Sequence, residues 1–143
     1  MVGNGYSVLV GGAATGELLH LAEPLSLWGG LDPETGLIID RNHPQQGESM
    51  AGHIVVMPHG RGSSSSSSVL AEAMRLGTAP AAFVVGQPDS ILVIGSLVGR
   101  HLYSVSCPIL CGPVPPRYPG TWTIDQNQLL PPVDAEGPNR SGM

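Results

Sequence analysis

Short apolar runs alternate along the chain with turns marked by glycine and proline, a pattern that predicts strands more often than long helices. Tyr6–Val10 and Glu17–Leu21 read as strands flanking a Gly11-Gly12 turn. Leu27–Thr35, LWGGLDPET, is a turn-rich loop. Leu37–Asp40 reads as a short strand and RNHPQQGES as a second loop. His53–Met57, HIVVM, is apolar, rich in β-branched residues and closed by Pro58, and it predicts a strand.

The segment PHGRGSSSSSS follows, and then Val69–Leu76. Here Val69, Leu70, Ala73, Met74 and Leu76 fall at helical spacing, serines offer N-caps, and Gly77 ends the pattern. Ala81–Val85 reads as another buried strand and Ile91–Ile94 as a further extended run. His53–Val85 therefore has the order strand, glycine loop, helix, strand, the signature of a right-handed βαβ crossover. Beyond Cys107 the chain is rich in proline. The expected organisation is one domain over residues 1–130 and a disordered tail over 131–143.

Composition narrows the functional classes. The 143 residues suit a single domain. Eleven acidic residues stand against six basic ones, all arginine, for a net charge of -5. A nucleic-acid partner is excluded, because phosphate contacts need a basic face. Only 12% of residues are charged, which predicts that part of the surface is covered by something else. Two cysteines, Cys107 and Cys111, make no disulfide framework and fall short of the four ligands a zinc or iron–sulfur site usually takes. The chain shows no signal peptide, and no apolar stretch approaches the ~20 residues of a membrane span. A soluble, cytoplasmic domain is the expectation.

The segment with chemical content is Gly60-Arg61-Gly62-Ser63-Ser64, between a strand and a helix. Glycines let backbone N–H groups approach a ligand, and the helix that follows offers its positive end to the same point. Serine hydroxyls and Arg61 would add bonds to a carboxylate or phosphate. The alternatives are a flexible serine linker or plain N-capping. The spacing matches neither a Walker loop nor a nucleophile elbow. His43, His53, His59 and His101 lack metal-ligand spacing and read as solvent-facing or capping residues. Trp28 and Asp32 sit in a glycine-rich loop that either faces a partner or substrate or simply forms a turn.

The order of PLS-x-WGG-x-DP-x-TG, HP-x-x-G, GRGSS and APAA, within Glu23–Val85, resembles the small, swivel-domain subunit of aconitase X. The resemblance continues through ILVIGSLVG, thins after Pro108 and covers about two-thirds of the chain. It implies the swivelling β/β/α fold of the aconitase C-terminal domain, an α/β arrangement of mixed sheets or a barrel with a few flanking helices. It also implies assembly with a large subunit that carries an iron–sulfur cluster, this chain binding none alone. The implied activity is dehydration of a small hydroxy acid, a hydro-lyase reaction. Bacterial members act on cis-3-hydroxy-L-proline, giving Δ1-pyrroline-2-carboxylate, and archaeal members on mevalonate 5-phosphate. The arginine-only, Ala/Gly/Pro-rich composition favours the bacterial substrate.

In aconitases the base is the first serine after a Gly-x-Gly turn. Carried onto this chain, that position is Ser63, with Ser64 next to it to help orient the substrate, while Arg61 either binds substrate or braces the loop. Ser65 and Ser66 stand where aconitase proper has Arg and Glu, so arginine-mediated carboxylate binding at that point is absent. A non-enzymatic module holding an anion at the serine turn is the competing class.

Overall fold

The computed structural model describes residues 5–60 and 63–133. Seven strands form one mixed sheet in the order β1-β5-β4-β3-β2-β6-β7. They are β1 Ser7–Val10, β2 Ala14–His20, β3 Ile54–Met57, β4 Ala82–Val85, β5 Ile109–Cys111, β6 Thr121–Asp125 and β7 Gln128–Leu130. Strands β2, β3, β4 and β5 run parallel, whereas β1 on β5, β6 on β2 and β7 on β6 are antiparallel. Among the described residues the helices are α1 Ser66–Leu76 and α2 Ser90–Tyr103.

The central strands IVVM and AFVV are buried at every position, as parallel strands covered on both faces must be. Val55, Met57, Phe83, Val85 and Ile109 pack with Leu70 and Met74 of α1, Leu92 of α2 and the leucines of the 21–31 segment. The alternate residues Ile54, Val56, Ala82, Val84 and Leu110 meet Trp122, Ile124 and Leu129 from the other end of the same sheet. The sheet thus curls upon itself into a half-barrel and encloses its second face without a further helix. This is the mixed α/β swivel-type arrangement expected, and β3-α1-β4 is the expected parallel crossover.

Several expectations are corrected. Ile91–Ile94 is not extended but lies inside α2. Periodicity cannot separate a short apolar run in a strand from one in a buried helix. The choice falls to helix because the Asp89 carboxylate accepts from the N–H groups of Ile91 and Leu92, capping it. Gly95 and Gly99 then let α2 lie tightly on α1. Leu37–Asp40 makes only isolated bridges, Leu37 with Ser49 and Ile38 with Leu31. The proline-rich stretch is confined to the connection after β5, and β5, β6 and β7 lie where no strand was predicted. Helix α1 starts earlier than its apolar pattern and takes in Ser66, Ser67 and Ser68. Of the predicted tail, Pro132 is buried against Gly120 and residues 134–143 lie outside the described residues.

The HPQQG motif has a packing reason. His43 is buried, not solvent-facing, and Gln45 N–H donates to its Nδ1 at 3.1 Å. The proton therefore sits on Nε2, which donates to the Glu23 carbonyl at 3.0 Å. Gln45 bonds the Ala22 N–H and the His20 carbonyl at 2.7 and 2.8 Å. Together they pin the chain leaving β2 and so aim the following 25–31 segment at α1.

Candidate functional site

Helices α1 and α2 both begin beyond the carboxyl ends of parallel strands, α1 after β3 and α2 after β4, where open α/β sheets place ligands. Gly86 N–H donates to the Met57 and Pro58 carbonyls at 3.2 and 3.0 Å, joining the two strand ends. A Cβ on Gly60 would fall on Oδ2 of Asp89, so only glycine allows the loop to pass the carboxylate that caps α2. The His59 Nδ1–H donates to the Gly60 carbonyl at 2.8 Å, which orients an exposed imidazole along the same loop.

The serines differ in place and partners. Ser63 is half-buried, Ser64 and Ser65 are exposed, and Ser66 is buried at 3% exposure. The N–H groups of Ser66, Ser67 and Ser68 donate to the carbonyls of Ser63, Ser64 and Ser65 at 2.9, 3.3 and 3.1 Å. Three donors of the first helical turn are therefore already used, and any anion must draw on donors before them. Ser65, the residue preceding α1, is itself helical in backbone and makes no side-chain cap; the Ser67 hydroxyl instead donates to the Ser64 carbonyl at 2.9 Å. Arg61 and Gly62 lie outside the described residues.

The glycine-rich loop predicted around Trp28 comes to this turn. Trp28 N–H donates to Ser66 Oγ at 3.0 Å, and Ser26 Oγ lies 3.4 Å from the same oxygen. Leu25, Leu27 and Leu31 are buried while Trp28, the largest apolar side chain of the segment, is 60% exposed. Gly29 takes a left-handed φ of 79°. A Cβ on Gly30 would strike the Ser26 carbonyl, so the WGG motif is what the tight turn requires. Asp32 does not join this site. Its carboxylate accepts from the Glu34 N–H and the Thr35 hydroxyl, each at 3.0 Å, and serves its own turn.

Neither Asp89 nor Ser66 was singled out from the sequence. Asp89 carries a local signal, an Asp just before an apolar run. Ser66 stands four and seven residues before Leu70 and Ala73, on the same buried face.

The buried Cys107 is ill suited to a metal. Burial pushes the Cys107 thiol up to about 12, far from the thiolate that binds iron or zinc. Among the described residues no three His, Cys, Asp or Glu side chains converge on one point. An iron–sulfur cluster therefore does not fit the described residues of this chain. No helix among the described residues is long and apolar enough to cross a membrane.

Comparison with known proteins bears on this site. The family model of the aconitase X swivel domain matches residues 5–117. A cis-3-hydroxy-L-proline dehydratase of Pseudomonas aeruginosa is 47% identical over 103 residues, 72% of this chain and 18% of that protein. A phosphomevalonate dehydratase small subunit of Thermococcus gammatolerans is 41% identical over 90 residues, 63% of this chain and 69% of that subunit. The crystal structure of Thermococcus kodakaraensis aconitase X superposes with a TM-score of 0.75 at 31% identity, covering 86% of this chain and 92% of the matched one. The chain thus spans less than a fifth of the Pseudomonas relative but most of the archaeal small subunit.

Proposed function

Because the chain belongs to the aconitase X swivel-domain family, we propose that it is the swivel part of a hydro-lyase converting cis-3-hydroxy-L-proline to Δ1-pyrroline-2-carboxylate. The observation that carries the substrate is the 47% identity to the Pseudomonas dehydratase. Ser63 is the proton acceptor, and Ser64 and Arg61 contact substrate. The Cα proton passes to the Ser63 oxyanion and its electron pair forms the C2–C3 double bond as the C3–O bond breaks. The departing hydroxide takes up a proton from an acid in the rest of the site to leave as water, and the enamine then loses its N–H proton and gains one at C3 to give Δ1-pyrroline-2-carboxylate.

A serine hydroxyl is a weak base and acts only where its oxyanion is held by N–H donors away from water. Three features support Ser63 in that role. It is half-buried, it precedes the positive end of α1, and its carbonyl is held by the Ser66 N–H. A domain that brings this serine down on a substrate held elsewhere also closes the site against water.

The rest of the site, including the iron–sulfur cluster implied by the family resemblance, belongs in this reading to a larger part of the enzyme. The relatives named small subunits imply such a partner for those proteins. Solvent-facing Ile94, Leu97, Val98 and Leu102 of α2, and Trp28 beside the serine turn, supply apolar surface for it.

A second reading, dehydration of mevalonate 5-phosphate, is favoured by the match to the Thermococcus small subunit. The test is to purify the chain with its larger part and offer both substrates. Turnover of the hydroxyproline alone supports the first reading and turnover of the phosphate alone the second. Inactivity on both overturns the two together.

A further inference from the structure

We propose that Ser66 is a positioning residue, whose buried hydroxyl bolts the Trp28 loop to the start of α1 and thereby sets both Ser63 and the exposed indole at the mouth of the site. The inference rests on the dehydratase reading and extends it to a residue for which aconitase proper has no serine counterpart. Ser66 is the only one of the six serines classed as buried. Its N–H holds the Ser63 carbonyl at 2.9 Å and its Oγ accepts the Trp28 N–H at 3.0 Å. One residue thus joins the two loops through two different groups. Ser26 closes the bracket, its hydroxyl lying 3.4 Å from Ser66 Oγ and donating to the Trp28 carbonyl at 3.2 Å.

Trp28 is held in its backbone yet free in its side chain. A tryptophan that only filled space would take the place of Leu27 or Leu31, which are buried on either side of it. The backbone bonds instead hold it facing outward, beside the turn that carries Ser63. In a site divided between two bodies, what stands beside the acting group stands at the junction. Removing the Ser66 hydroxyl leaves the Trp28 N–H without its acceptor and frees the loop, while the Ser66 N–H and the helix remain.

The test uses Ser66→Ala in the assembled dehydratase, with two readouts. The first is the split between kcat and KM. Ser66→Ala is expected to lower kcat about 10- to 100-fold, the scale of a small misplacement where the Trp28 loop meets the rest of the site, with KM changed less than about threefold. The second is acrylamide quenching of the free full chain. Its two tryptophans are Trp28, exposed, and Trp122, 3% exposed, so quenching reads Trp28. Ser66→Ala is expected to raise it. An unchanged kcat overturns the proposal, and so does a lowered kcat with unchanged quenching. Failure of the underlying reading is separately visible, as a Ser63→Ala enzyme that keeps wild-type turnover.

Discussion

The Asp89 carboxylate fills the space that a side chain on Gly60 would need. Asp89 is not free to withdraw, because its Oδ1 accepts from the Ile91 and Leu92 N–H groups at 2.9 and 3.1 Å. The loop carrying the proposed base and the start of α2 are therefore set against each other by one side chain. Gly60→Ala should destabilise the fold by about 1–3 kcal/mol through overpacking. Asp89→Ala should cost about 1 kcal/mol for the lost cap. Denaturant titrations of the two single variants and the double variant check the relationship: Gly60→Ala should cost clearly less once Asp89 is gone. Strictly additive costs would contradict it.

The two glycines at the helix–helix contact should behave differently. An alanine at Gly95 would meet the Ser67 carbonyl oxygen of α1 at 2.8 Å, and backbone cannot yield locally. At Gly99 it would meet the Met74 side chain, which can turn aside. Alanine gains about 1 kcal/mol over glycine in helix propensity at either position. Gly99→Ala should therefore stay within about 1 kcal/mol of the parent, while Gly95→Ala should destabilise by about 1–3 kcal/mol. Thermal melts of both variants decide, and the reverse order would contradict the packing argument.

Ser63→Ala tests the chemistry. With the proton acceptor gone, turnover of the assembled enzyme should fall about a thousandfold or more, the scale of a general base. Co-purification with the larger part and thermal stability should not change, since the Ser63 contact to the helix is made by its carbonyl. Steady-state rates alongside the recovered complex give the answer; a variant within a few-fold of the parent would remove Ser63 from the role.

Alkali should unfold the protein through Cys107. Burial raises the folded thiol from 9.0 to about 12, so between those values the unfolded chain loses a proton that the folded chain keeps. Stability from this source is full below pH 9 and falls as pH rises toward 12. Tyr6, whose hydroxyl donates to the Pro113 carbonyl at 2.8 Å, is also raised by burial and acts in the same direction. Denaturation followed across this range should show a shallower loss in Cys107→Ala, allowing for its lower starting stability. Equal slopes in parent and variant would rule Cys107 out as a source.

The β3-α1-β4 unit was legible because its signals are local. HIVVM and AAFVV are apolar throughout, as central parallel strands must be, and Gly77 ends the helix with a left-handed φ of 78°. The glycine-serine turn was legible for the same reason. The fate of Ile91–Ile94 was not, because a short apolar run fits a strand or a buried helix equally, and the Asp89 cap and the α1 contact decide between them. β5 and β6 escaped notice because they are short, set among prolines and turns, and pair with strands far away in sequence, while β7 is a three-residue strand that only folds back on β6.

By itself, then, the sequence determined the crossover, the place of the serine turn and the family, all properties of contiguous residues. Tertiary structure alone decided that six identical serines are unlike, that Asp89 dictates the glycine at position 60, and that Trp28 faces outward beside Ser66. The physical reason is that burial and hydrogen-bond partnership are set by what folds back from elsewhere in the chain. Ser66 finds its partners 38 and 40 residues away, across a distance that no local pattern spans.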